Sequence, residues 1–143
     1  MEPLHYLLMR THTNVNRWIM SEAAKLGLSP GQPKVLEYLM DCGESNQRCI
    51  ADHCEIEQAT VGSILTRMER SGLIRREQHD GNRRSLYVSL TPQGRQLGEQ
   101  MQQIFERIDQ QAVANLSDEE QVLLCELLGK VYDAVVPNRK EMA

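Results

Sequence analysis

Residues 45–76, SNQRCIADHCEIEQATVGSILTRMERSGLIRR, decide the fold because they hold two helical patterns separated by a tight turn. Ser45 or Asn46 is the predicted N-cap of the first pattern, and the second begins near Gln58 and stops at Gly72. Each pattern carries apolar residues on one side, and these inward positions are Ile50, Ala51, Cys54, Val61, Ile64, Leu65 and Met68. Two short helices across such a turn form a helix-turn-helix.

A β-hairpin is predicted directly after the second of these helices. Residues 73–77 and 85–90 are strand-like, and an Asp-Gly pair between them is a strong hairpin signal. A hairpin in this position is a wing, and its tip carries Arg83 and Arg84. The predicted fold class is therefore mainly α with a small β-hairpin wing (α+β), a winged helix-turn-helix.

Two helices are predicted before this region. Apolar residues recur at intervals of mostly three and four from Leu4 to Leu26, which predicts a long first helix stopped by Gly27. Ser29 is the predicted N-cap of the second helix, and Pro30 is its predicted first residue.

Two helices are also predicted after the hairpin. Thr91 as N-cap and Pro92 at the first position open one of them. The capping box at residues 117–120 opens the last helix, whose apolar face is longer than one small domain needs for its own core.

The chain is expected to form a single domain over residues 1–143. Within it, residues 29–90 are the predicted DNA-binding lobe, and residues 1–27 and 91–143 are the predicted helical dimerisation region. The surplus apolar face predicts a homodimer held by the first, fifth and sixth helices.

Positive charge is confined to the middle of the chain. The formal net charge is −4, but residues 58–95 hold seven arginines against three carboxylates, a net of +4. The remaining residues carry a net of −8. This asymmetry predicts that the helix and wing bind double-stranded DNA, while an aromatic content of 4% argues against a base-stacking surface for single strands.

Several functional classes are disfavoured by what the sequence lacks. Charges interrupt every apolar run and no signal peptide is recognisable, so we expect a cytoplasmic protein with no membrane partner and with reduced cysteines. No nucleophile triad, phosphate-binding glycine loop or paired-carboxylate arrangement is present, so we expect neither an enzyme nor a cofactor.

The candidate DNA contacts lie on the second helix-turn-helix helix, opposite its apolar stripe. Gly62, Ser63 and Thr66 are small enough to let the backbone approach base edges. Arg67 and Arg70 are then placed to reach guanine or phosphate, for which the planar guanidinium fork is well suited.

This order of elements resembles the MarR family, the multiple-antibiotic-resistance type of transcriptional regulators. The resemblance covers essentially the whole chain, and the motifs that carry it are Leu28-Ser29, Gly72-Leu73-Ile74-Arg75-Arg76, Arg83-Arg84 and Leu90-Thr91-Pro92-Gln93-Gly94. It implies a homodimer, in most cases a repressor, that binds a pseudo-palindromic operator. It also implies release by small phenolic or other lipophilic effectors, by oxidants or occasionally by metals.

Carried over residue by residue, the resemblance assigns a DNA-reading face and a wing contact. The face comprises Gln58, Ala59, Thr60, Gly62, Ser63, Thr66 and Arg67. The wing contact is Arg83 or Arg84. The family usually has an acidic residue two positions before the second wing arginine, where this chain has Asn82, so Asp80 is the alternative group to orient the wing arginine.

An effector pocket is expected where the dimerisation helices meet the DNA-binding lobe. Its candidate residues by position are Met9, His12, Asn16, Trp18, Tyr38 and Met40. The alternative is that Trp18 and Met40 are ordinary core residues and that His12 faces solvent.

Two other functions stay open. Cys49 is the candidate thiol for a redox-sensing regulator, whereas the spacing of Cys42, Cys49, Cys54 and His53 does not favour a metal site. The second alternative is a winged-helix module that binds proteins and not DNA.

Overall fold

The computed structural model describes residues 1–79 and 86–142, with side chains described as far as residue 137 at the C-terminal end. Its elements in chain order are α1 (Leu4–Lys25), α2 (Gln32–Cys42), β1 (Ser45–Asn46), α3 (Gln47–Cys54), α4 (Gln58–Arg70), β2 (Ile74–Gln78), β3 (Leu86–Leu90), α5 (Pro92–Ala112) and α6 (Asp118–Met142). The predicted fold, mainly helical with a small hairpin, is confirmed. The predicted wing-tip residues Asp80, Asn82, Arg83 and Arg84 lie outside the described residues.

The chain divides into two compact units. Residues 1–108 form the first, which holds the helix-turn-helix and the wing strands, and residues 109–143 form the second, which holds α6. None of the helices within the described ranges is long and apolar enough to cross a membrane.

The core of the first unit is made by the inward faces of its helices and of β2 and β3. Its most buried members, at 2% exposure or less, include Ala23, Val35, Leu36, Leu39, Ile50, Ala51, Val61, Leu65, Met68, Ile74, Val88, Met101 and Ile108. Of the stripe predicted for α4, three residues are fully buried and Ile64 is half-buried. This core fixes which side of α4 faces outward.

The turn between α3 and α4 forms as the sequence predicts. Asn46 is the N-cap of α3, because its side-chain oxygen accepts a hydrogen bond of 2.8 Å from the backbone N–H of Cys49. Glu55 ends α3 in the left-handed conformation with φ of 56°, and Gly72 ends the turn after α4 with φ of 78°. Of the two predicted caps of α3, Asn46 is therefore the one that is used.

The start predicted for α2 is wrong by two residues. The helix begins at Gln32, with Gly31 as its N-cap at φ of 87° and Pro33 in the first turn. Gly31, not Ser29, is the N-cap, and the backbone N–H of Ser29 donates to the side-chain oxygen of Gln32 at 3.1 Å. A reversed contact from inside the helix thus replaces the predicted cap.

The sheet has three antiparallel strands in the order β1-β3-β2. The hairpin register pairs Ile74 with Leu90 and Gln78 with Leu86. Strand β1, which pairs Ser45 with Val88, was not predicted because two residues are too short to show an alternating pattern. Strand β1 therefore connects the start of α3 with the base of the wing.

The exit of the wing is joined tightly to α5. The hydroxyl of Thr91 accepts from the N–H of Gly94 at 3.0 Å and donates to the carbonyl of Gly72 at 2.6 Å, which confirms Thr91 as a helix cap. A Cβ at Gly94 would lie 1.9 Å from the carbonyl oxygen of Leu73. Only glycine allows α5 to approach the backbone this closely.

Helix α6 begins with the predicted capping box. The N–H of Ser117 donates to Glu120 Oε1 at 3.0 Å, and the N–H of Glu120 donates to Ser117 Oγ at 3.1 Å. Several large apolar side chains of this helix are 40% to 60% exposed, and they are Val122, Leu123, Leu124, Leu127, Leu128, Tyr132 and Val135.

Candidate nucleic-acid interface

The outward side of α4 forms a shallow groove of about 580 Å³. Its lining residues are Ala59, Gly62, Ser63, Thr66, Arg67, Arg70 and Arg76. Six of these seven belong to the predicted DNA-binding set, and the structure brings them together on one surface. Gln58 and Thr60, the other predicted members on α4, are exposed outside this lining.

The two hydroxyl side chains in the groove are turned back onto their own helix. Thr66 Oγ1 donates to the carbonyl of Gly62 at 2.9 Å. Ser63 Oγ lies 3.4 Å from the carbonyl of Ala59, at the long limit of the same kind of bond. Both bonds run from a residue to the carbonyl four positions earlier, a common arrangement for serine and threonine inside helices.

Arg76 is the groove residue that sequence reasoning missed as a site residue. It lies on β2, and its guanidinium donates to Glu69 Oε1 at 3.1 Å and to Thr66 Oγ1 at 3.3 Å. Its backbone N–H also donates to Glu69 Oε2 at 3.2 Å. These bonds brace the root of the wing against α4.

The brace holds Glu69 in its ionised form. The hydrogen bond from Arg76 is the largest cause that lowers the pKa of the Glu69 carboxyl, and desolvation opposes it. No periodic pattern predicts this pair, because Arg76 lies on a strand and Glu69 on a helix. Only the fold brings the two together.

Arg67 and Arg70 are exposed on the same face and are not neutralised. Within the described part of the chain, no carboxylate forms an ion pair with either of them. Both also line a second cavity of about 440 Å³, together with Leu28 from the turn before α2 and Leu97 from α5. Their charge is therefore available to an anionic partner.

Gly62 lies where α3 and α4 approach each other. The side-chain nitrogen of Gln47 donates to the carbonyl of Gln58 at 3.2 Å, and a Cβ at Gly62 would lie 3.2 Å from that same nitrogen. The glycine thus serves the packing of the helix-turn-helix as well as the groove.

The predicted effector residues divide into two groups. Met9, His12 and Asn16 are exposed on α1. Trp18 and Tyr38 are half-buried against the core of the first unit. Met40 is also half-buried, and a Cβ at Gly98 would lie 2.7 Å from its sulfur. Neither cavity described above is lined by these six residues, so the predicted effector site stays a prediction.

The cysteines differ in exposure. Cys42, Cys49 and Cys125 are exposed free thiols, whereas Cys54 is buried. Burial raises the pKa of the Cys54 thiol to about 11, which keeps it protonated and unreactive at neutral pH. A sensing role for Cys49 remains a prediction.

Comparison with known proteins identifies relatives across most of the chain. The model of the MarR family matches residues 28–86. The transcriptional regulator HosA of Escherichia coli O111:H- is 35% identical over 98 residues, which are 61% of this chain and 73% of HosA.

Solved structures match over nearly the full length. The S. aureus MepR–DNA complex gives a TM-score of 0.85 at 25% identity and covers 94% of this chain and 99% of MepR. Bordetella bronchiseptica BpsR, whose DNA binding is regulated by 6-hydroxynicotinic acid, gives 0.83 at 30% identity and covers 92% and 94% of the two chains.

Proposed function

The chain belongs to the MarR family of DNA-binding transcriptional regulators, and from this premise we propose that it is a ligand-responsive repressor that binds a pseudo-palindromic operator as a homodimer. The observation that carries the proposal is the groove on α4, where Arg67 and Arg70 are exposed and unpaired among the described residues. Guanidinium groups in this position suit guanine edges and phosphates.

The wing is the second proposed point of contact. Arg83 and Arg84 follow the Asp-Gly pair between β2 and β3, and Arg76 and Glu69 hold β2 against α4. We infer that the wing arginines contact a narrow minor groove, whose electronegative potential attracts guanidinium groups. Asp80 or Asn82 is the proposed group that orients the wing arginine.

The proposed homodimer rests on the apolar face of α6. Its exposed leucines, valines and tyrosine are 40% to 60% exposed. They form a continuous apolar face and are not isolated surface residues. A second copy of this chain would bury it through a two-fold interface. Helices α1 and α5 are the further elements proposed for that interface.

The effector is proposed to be a small phenolic or otherwise lipophilic molecule. This proposal is supported by the structural relative BpsR, whose DNA binding is regulated by the small molecule 6-hydroxynicotinic acid. The six candidate residues from Met9 to Met40 remain the proposed site. A change in their packing would shift the balance between DNA-binding and released conformations.

The test is a DNase I footprint of the purified protein on the DNA upstream of its own gene. Two protected half-sites about 34 Å apart, one helical turn, are expected for a dimer. Addition of 6-hydroxynicotinic acid as a probe would show whether a ligand releases the DNA. No protection at low salt would contradict DNA binding and favour the protein-interaction alternative, and loss of protection with peroxide but not in a Cys49→Ser variant would favour redox sensing.

A further inference from the structure

The hydroxyl of Thr66 is occupied on both sides. It donates to the carbonyl of Gly62 at 2.9 Å and accepts from the guanidinium of Arg76 at 3.3 Å. A hydroxyl has one proton to donate, and this one is already used. Thr66 therefore has its methyl group as the free contact group in the groove.

The neighbouring residues of the groove also lack a hydroxyl proton that is free to contact DNA. Ala59 offers only a methyl group, Gly62 has no side chain, and the hydroxyl of Ser63 is directed to the carbonyl of Ala59. Positions 59, 62 and 66 recur at helical spacing, so they form one line along the exposed side of α4. The centre of the groove is thus lined by small apolar surfaces, and arginines lie around it.

The carboxylate of Glu69 fixes this arrangement. It bonds both the backbone N–H and the guanidinium of Arg76, so the guanidinium is held over Thr66. The Arg76 side chain is 18% exposed, which limits the space in which it can reorient. Arg76 and Glu69 act as positioning residues for Thr66.

We infer that the centre of α4 recognises its operator by methyl contact, with the methyl group of Thr66 packing against the C5 methyl of a thymine. This inference rests on the proposed function. In the major groove the thymine methyl is the apolar group that distinguishes this base, and alanine and threonine methyl groups are suited to contact it. Sequence discrimination at this point does not depend on a hydrogen bond from Thr66.

Two substitutions separate the methyl group from the hydroxyl. Thr66→Val keeps the methyl in place and removes the hydroxyl, whereas Thr66→Ser keeps the hydroxyl and removes the methyl. The probe is a duplex selected by the wild-type protein from a random-sequence library. We expect Thr66→Val to bind it within about twofold of wild type, and Thr66→Ser to bind about fifteenfold more weakly, the value of two buried methyl-sized groups, one in each half-site.

A change in the DNA gives the same test without altering the protein fold. Each thymine of the selected duplex is replaced in turn by uracil, which removes only the C5 methyl. At one thymine in each half-site we expect about fourfold weaker binding by the wild-type protein. On a duplex in which both of these thymines are replaced, the Thr66→Ser variant should bind as well as wild type, because both contacts have already been removed.

Three results would overturn the inference and leave the proposed function intact. They are a Thr66→Ser variant that binds like wild type, a Thr66→Val variant that loses more affinity than Thr66→Ser, and a uracil scan with no sensitive position. If the wild-type protein selects no DNA at all, the proposed function itself fails, and the inference fails with it.

Discussion

Helices α2, α3 and α4 of the unit of residues 1–108 bury their apolar faces, whereas helix α6 of the unit of residues 109–143 leaves its apolar side chains exposed. In the first, the inward faces of α2, α3 and α4 are buried to 5% exposure or less at most positions. In the second, the large apolar side chains of α6 are 40% to 60% exposed. Helical periodicity tells which face of a helix is apolar, but it does not tell what covers that face.

The largest expected effects on stability and on self-association come from replacing one leucine by alanine in each unit. Leu65 is fully buried, so Leu65→Ala is expected to lower the free energy of unfolding by about 3 kcal/mol, the usual cost of a buried leucine-to-alanine change. Leu127 is 48% exposed, so Leu127→Ala should leave the fold of each protomer intact and weaken self-association.

Urea denaturation measures the first effect, and sedimentation equilibrium measures the second. A Leu127→Ala protein that self-associates like wild type would contradict the role proposed for α6. A Leu65→Ala protein as stable as wild type would contradict the core described here.

Two glycines, one packed against the backbone and one with open space around it, test the same difference between the units. Gly94→Ala is expected to destabilise the protein by about 2 kcal/mol or more, because the new Cβ would meet the carbonyl oxygen of Leu73 at 1.9 Å. At Gly129 on α6 a Cβ would find no described atom within 4 Å, so Gly129→Ala should be neutral or stabilise the helix by up to about 1 kcal/mol. Thermal denaturation of both variants at one concentration compares them, and equal shifts would show that the contact between Gly94 and Leu73 is not formed.

The thiols provide a smaller effect that reports on burial. Iodoacetamide at pH 8 should modify Cys42, Cys49 and Cys125 and leave Cys54 unmodified, which mass spectrometry of the peptides would show. Since burial raises the pKa of Cys54 from 9.0 to about 11, the protonated form is favoured in the folded state. This contribution to stability is complete below pH 9 and is lost as the pH rises toward 11. Modification of Cys54 at the rate of Cys49 would mean that this part of the core opens readily.

Local signals in the sequence were sufficient for most of the fold. Asn46, Thr91 and Ser117 cap their helices as predicted, because each cap involves residues only three positions apart. Ser29 failed as a cap because Gly31 adopts a left-handed conformation and moves the helix start. Serine followed by proline is a common helix start, but here the helix begins only after the left-handed glycine.

The candidate site was predictable only in part. The exposed side of α4 followed from its apolar stripe, which places Arg67 and Arg70 outward. The link of Arg76 to Thr66 and Glu69 joins a strand to a helix, and no periodic pattern encodes such a contact. The hydrogen bond that the Thr66 hydroxyl accepts comes from that link, so it could not be predicted before the fold was known.

The most direct test of the central claim, that the exposed arginines of α4 bind DNA, is the salt dependence of operator affinity in a variant that carries both Arg67→Ala and Arg70→Ala. Arg10→Ala, on α1 and paired with Glu2, is the matched control. We expect at least about tenfold weaker binding by the double variant and a shallower slope of log affinity against log salt, with the control unchanged. Affinity and slope equal to those of the control would contradict it.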